Sequence, residues 1–141
     1  MRLTLEKILV LKNVPLFAGV PEPALSDFIA ASEEIAAMEG TDIIRAGEMW
    51  SHLYIILQGQ VRLHRDGRTV REFSNYGVLG ELSALDPAPS AVTVTAVEDT
   101  TMFRISGDAL YRLMNEHKSI ERSVISSLCR QLRQMRNEKI S

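Results

Sequence analysis

Cysteine, histidine and aromatic side chains are scarce in this 141-residue sequence, and long apolar runs are absent from it. The single cysteine, Cys129, has no partner for an intramolecular disulfide. The fold therefore rests on packing, and a reducing, cytoplasmic compartment is expected, whether the chain acts alone or as the cytosolic part of a larger protein. The three histidines, His52, His64 and His117, are scattered, with no two of them spaced to share a strand face. No metal site is expected from such a set. The longest apolar runs are Ile8–Leu11 near the N-terminus and Leu53–Leu57. The first is too short for a signal-peptide core, and the second falls far below the ~20 residues of a membrane-spanning helix. Ser83, Ser90 and Cys129 show no histidine-plus-carboxylate arrangement, and no kinase or cyclase signature is present. The reading is that the chain is not an enzyme.

The apolar fraction of 45% and charged fraction of 24% are those of an ordinary globular protein, and the length fits a single domain, 1–141, able to bury a core. Charge is unevenly placed. Residues 1–111 carry 9 Lys/Arg against 15 Asp/Glu, whereas 112–141 carry 7 against 3. A basic tail can mark a nucleic-acid or membrane contact. The simpler reading is a solvated helix face whose arginines complement the helix C-terminus.

Three zones differ in period. Residues 1–37 read as a helical lead-in: Leu5, Ile8 and Leu9, then Leu25, Phe28 and Ile29, keep helical spacing, with Pro15, Pro21 and Pro23 between or before them. Pro23 suits a helix start, where its missing N–H would be unpaired anyway. Residues 38–105 change to short runs rich in Ile, Val, Leu, Tyr and Thr: Thr41–Ile44, Leu53–Leu57, Gln60–His64, Thr69–Phe73, Val92–Val97 and Thr101–Ile105. Gly47, Gly59, Gly67 and Gly77 fall at the breaks, and Asp66–Gly67 predicts a two-residue hairpin between Val61–Arg65 and Arg68–Phe73. Many short strands at near-regular spacing predict an antiparallel β-roll. Residues 107–137 are helical again. Leu110, Leu113, Met114, Ile120, Val124, Leu128, Leu132 and Met135 form one apolar stripe, which Lys118–Ser119 divides into two helices. The fold class is thus mainly β with flanking α.

Between the roll strands runs Gly77-Val78-Leu79-Gly80-Glu81-Leu82-Ser83-Ala84-Leu85, followed by Pro89-Ser90-Ala91-Val92-Thr93. A strand that ends in Gly80 and opens a helix presents unpaired N–H groups and a positive helix end to an anion. Glu81 is a helix-start acid that complements the dipole, and Ser83 adds a short polar group nearby. The segment resembles the phosphate-binding cassette of cyclic-nucleotide-binding domains, in which Gly-x-x-Gly-Glu-Leu-Ala precedes a short helix and then Pro-Arg-Ala-Ala-Thr. Val14–Val20, Ala46-Gly47-Glu48 and Leu53–Val61 resemble the other landmarks of that family. The resemblance covers nearly the whole chain and is closest to the effector domains of catabolite-type regulators. It implies a jelly-roll-type β-roll with C-terminal lid helices, and a regulatory sensor with cyclic AMP or cyclic GMP as ligand and no other cofactor. The implied ligand-binding residues are Gly80, Glu81, Leu82, Ser83, Ser90 and Ala91, with Met135 and Arg136 of the lid facing the base.

One position departs from the pattern. Where binding members carry the phosphate-pairing Arg, this chain has Ser90. A charge-assisted contact of about 1.5–3 kcal/mol is lost with it, roughly ten- to a hundred-fold in affinity. A cation would have to come from elsewhere, from Arg45, Arg62, Arg71 or Arg136. Weak nucleotide sensing therefore stands beside a degenerate domain that takes another ligand or serves only protein contact or dimerisation. A cupin-like metal enzyme, also a small β-roll, is disfavoured by the scattered histidines. The last helix also offers a homodimer seam from Val124 to Met135. The 36 residues after Ile105 leave no room for a DNA-reading head, so direct DNA binding is not expected, and the signal would pass to an effector domain or a partner protein.

Overall fold

The computed structural model describes residues 3–140, with side chains through residue 138. Helix α1 (Thr4–Lys12), a 3-10 turn (Pro15–Phe17) and helix α2 (Glu22–Ala31) lead into strands β1 (Glu33–Ala37), β2 (Asp42–Ile44), β3 (Met49–Trp50), β4 (His52–Gln58), β5 (Val61–Arg65), β6 (Arg68–Phe73) and β7 (Val78–Leu79). Helix α3 (Glu81–Leu85) and strands β8 (Ala88–Pro89), β9 (Thr93–Ala96) and β10 (Thr100–Ser106) come next, then helices α4 (Gly107–Glu116) and α5 (Lys118–Ile140).

The strands form two four-stranded antiparallel sheets, β1-β10-β4-β7 and β2-β9-β5-β6, and the short pair β3-β8. This is the β-roll with flanking helices that the alternation of periods predicts. The Asp66–Gly67 hairpin forms with Arg65 opposite Arg68, and both turn residues have positive φ (52° and 75°), which matches the twist of a tight two-residue turn.

Two apolar cores meet back to back on the first sheet. Leu53, Ile55 and Leu57 of β4, with Phe103 and Ile105 of β10, face the helices, where Leu11, Leu25, Phe28, Leu110, Leu113 and Ile120 are buried. Tyr54 and Ile56, with Met102, face the interior of the roll against Ile44, Val61 and Val94. A strand covered on both faces loses its polar alternation, which explains why the longest apolar run of the roll zone, 53–57, is a strand.

One boundary shifts. Residues 33–37, placed by the sequence in the helical lead-in, form β1 instead. Glu33 and Glu34 are exposed, so a two-residue alternation has little contrast to display, and pairing with β10 from Glu33↔Arg104 to Ala37↔Thr100 decides the conformation. At the other end the helical stripe breaks at His117, whose extended backbone separates α4 from α5. Among the described residues no helix is long and apolar enough to cross a membrane.

Candidate ligand-binding site

Strand β7 ends against β4, with Tyr54 opposite Leu79, and the chain turns at Gly80 into α3. Gly80 has φ 85° and ψ 19°, the left-handed region. A Cβ at this position would meet the carbonyl oxygen of His52 and the indole of Trp50. Only glycine fits on both counts, and the turn it permits places the first-turn N–H groups of α3, which have no helical partners, at the rim of a cavity.

That cavity, of about 290 Å³, lies between the roll, α3 and α5. Trp50, Leu63 and Phe73 give it an apolar wall, Gly80 to Ser83 form its edge, and Gln131 and Gln134 of α5 close over it. Trp50 is fixed by its indole N–H, which donates to the His52 carbonyl at 2.8 Å, and by an edge contact with Tyr54 at 6.4 Å. Arg71 of β6 supplies the cation of the lining, and its guanidinium sits 4.5 Å from the centre of the Phe73 ring. Stacking of this kind preorganises an arginine and leaves its N–H groups free for an anion.

Glu81 is the acid of the site. Its Oε1 accepts from Gln131 Nε2 at 3.2 Å, whereas its Oε2 is buried and has no hydrogen-bond partner. Burial pushes the carboxyl above its ordinary value, against the opposing pull of Ser127, Arg130 and Gln131. An acceptor that is buried and unsatisfied is costly to keep, and a donor from a ligand would relieve it.

Helix α3 is tied firmly to its neighbour α4. Tyr111 of α4 donates to the Leu85 carbonyl at 2.6 Å, while the Gly107 N–H at the start of α4 donates to the Ser51 carbonyl between β3 and β4 at 3.1 Å. A Cβ at Gly107 would run into the carbonyl of Ala84, so the start of α4 presses directly on the end of α3. Helix α3 thus contacts α4 through Tyr111 and Gly107, and the lid helix through the Gln131–Glu81 bond.

The structure brings together Gly80, Glu81, Leu82 and Ser83 of the expected set. It turns Ser90 away: this residue is 7% exposed, its hydroxyl donates to the Val92 carbonyl at 2.6 Å, and the Val92 N–H donates back to it at 3.2 Å. Ser90 and the exposed Ala91 are absent from the cavity lining. Met135 and Arg136 are absent from it too and lie exposed on α5. Gln131 and Gln134 hold the place expected for them, because ungapped counting along a helix slips by fractions of a turn. Of the four cations considered as replacements, Arg71 lines the cavity. Arg45 pairs at 3.7 Å with Asp42 and with Glu48, and Arg62 bonds Thr69 at 3.4 Å. Trp50, Leu63 and Phe73 are additions, and their turn-in depends on strand pairing that no local pattern encodes.

His117 is not isolated, as its place in the sequence suggests. Its Nε2 lies 2.7 Å from Asp27 Oδ2, with Glu116 beside them, on the helical side of the molecule.

The sequence model of the cyclic nucleotide-binding domain family matches residues 34–117, more than half of the chain and all of the roll from β1 onward except its first residue. This chain belongs to the cyclic nucleotide-binding domain family. Members of that family are regulatory modules with a cyclic nucleotide as ligand. The chain is 31% identical over 138 residues to a CRP-like cAMP-activated global transcriptional regulator of Mycobacterium tuberculosis, covering 91% of this chain and 59% of that protein. It superposes with a TM-score of 0.81 on the N-terminal domain of a transcriptional regulator from Streptomyces coelicolor A3(2), at 26% identity, covering 92% of this chain and 94% of the other. With the regulatory domain of Toxoplasma gondii PKA in complex with cAMP the TM-score is 0.70 at 28% identity, covering 78% and 44%. The chain therefore spans less than two thirds of the length of the Mycobacterium relative.

Proposed function

We propose that this domain is a non-enzymatic regulatory sensor that binds a cyclic nucleotide weakly, in the cavity between α3 and α5, with Arg71 in place of the missing cassette arginine. The observation that carries this reading is Glu81: an acid at the edge of that cavity with a buried oxygen lacking a partner. A ribose hydroxyl would satisfy Oε2, the first-turn N–H groups of α3 would receive the phosphate, and Arg71 would add the charge. Affinity is low because the Ser90 hydroxyl is already committed to Val92. A ligand donor on Oε2 would share the carboxylate with Gln131 of α5, which holds Oε1. Binding would thereby be felt at α5, and the signal would travel along that helix to an effector domain or partner protein in the cytoplasm.

The far part of α5 supports a homodimer as the form that transmits the signal. The described side chains after Gln131 are all exposed, yet Leu132 and Met135 are apolar, at 66% and 59% exposure, and Ile125 precedes Leu132 by one heptad. A helix end with an apolar seam and no core beneath it suits pairing with a second copy.

Calorimetric titration with cyclic AMP and cyclic GMP to millimolar concentration tests the reading. One-site binding is expected, weakened roughly tenfold by Arg71→Ala and abolished or nearly so by Glu81→Ala. A second reading, a degenerate module used for protein contact alone, is favoured by the Gln131–Glu81 and Ser90–Val92 bonds, which already occupy two of the polar groups. It is established instead if neither nucleotide binds and the domain still dimerises.

A further inference from the structure

A second concavity, of about 540 Å³, lies where the 3-10 turn packs against the first half of α5. The turn gives it a floor of Pro15, Leu16, Ala18 and Gly19. Its polar wall is Lys118, Arg122 and Arg130 with the hydroxyls of Ser119, Ser123 and Ser126, and no carboxylate belongs to the lining. Lys118, Arg122, Ser126 and Arg130 stand at four-residue steps, so they form one ridge along the helix, about 18 Å from end to end. None of the three cations forms a salt bridge among the described residues, although residues 1–111 are net acidic. Cations without salt-bridge partners in a chain with acids to spare, and backed by hydroxyl donors in a groove, form a receptor for a multivalent anion.

We propose that this groove binds an oligophosphate, either free polyphosphate or the phosphate chain of a nucleoside di- or triphosphate. Three features select this chemistry over a single phosphate or a flat polyanion. The cations lie in a row rather than a cluster, which suits charges repeated along a chain. Serine hydroxyls alternate with them and donate to phosphoryl oxygens. The volume accommodates a phosphate chain, and the smooth floor of the turn permits close approach. The groove is separate from the α3 cavity, since the two share no lining residue. Arg130 nevertheless links the two, because its charge also acts on the Glu81 carboxyl.

The test is titration of the full chain with inorganic tripolyphosphate and with ATP at about 150 mM salt, where purely diffuse attraction is screened. The variants are Lys118→Gln and Arg122→Gln, both outside the packed core, with folding checked by thermal denaturation. Saturable binding of tripolyphosphate, weakened roughly tenfold by either substitution and more by both, is expected. Equal affinity for ATP assigns recognition to the phosphates, and tighter binding of ATP assigns a nucleotide as the source. Absence of saturable binding overturns the proposal, as does binding that both variants retain. Equal competition by an acidic peptide such as oligoglutamate also overturns it, because the groove would then read charge and not phosphate.

Discussion

Replacing Gly80 by alanine tests the geometry on which the site depends. Two costs combine. A non-glycine residue held at φ 85° carries about 1–2 kcal/mol of left-handed strain. The added methyl would also meet the His52 carbonyl and the Trp50 indole, so one of them must move and their 2.8 Å hydrogen bond is lost, at about 1 kcal/mol or more. The sum is about 2–4 kcal/mol. For a domain of this length each kcal/mol lowers Tm by about 3 °C, so a fall of about 6–12 °C is expected. Gly47→Ala is the control: φ there is 90°, yet a Cβ would have nothing within 4 Å, so only the strain applies. Thermal denaturation followed by circular dichroism measures both. If Gly80→Ala loses no more than Gly47→Ala, the close approach of Gly80 to the Trp50–His52 pair is not a real constraint, and the account of the turn fails.

Glu81→Gln should raise Tm at neutral pH while weakening nucleotide binding. Burial raises the Glu81 carboxyl in the folded state, so between its unfolded and folded values the native protein holds the extra proton and stability falls as pH rises. The wild type should lose stability relative to Glu81→Gln across that window, and parallel pH profiles would refute the buried charge. Ser90→Ala should cost about 1–2 kcal/mol in denaturant unfolding, because it strips both hydrogen bonds to Val92 from a buried turn, and a cost near zero would show that Ser90 is dispensable to the fold. Leu132→Glu should convert the dimer to monomer in light scattering without lowering the Tm of a dilute sample. Unchanged mass, or a wild type that is already monomeric, removes the seam.

The fold was legible because its strands, turns and stripes are written locally. Asp66–Gly67 marks its hairpin, the run at 53–57 is unbroken because both faces of β4 are covered, and the glycine-bounded cassette names the turn into α3. The site was legible only where it is contiguous. Gly80 to Ser83 are consecutive and stand together at the cavity edge. Arg71, Trp50 and Gln131 reach the same cavity from β6, β3 and α5, and only the closing of the roll and the angle of the lid bring them there. Ser90 departs from its expected place for a related reason. Its spacing from Glu81 fits the family pattern, but a short hydroxyl finds its partner in its own turn, where a long guanidinium would reach outward.

A cyclic nucleotide seated in the cavity bounded by Trp50 and Arg71 would lie against the indole. Trp50 is the only tryptophan of the chain, so its fluorescence reports on that cavity alone. Titration with cyclic AMP and cyclic GMP should change Trp50 emission along a saturable curve, and Arg71→Gln should shift its midpoint roughly tenfold upward. Emission that stays constant to millimolar nucleotide, or a midpoint that ignores Arg71→Gln, would contradict the account.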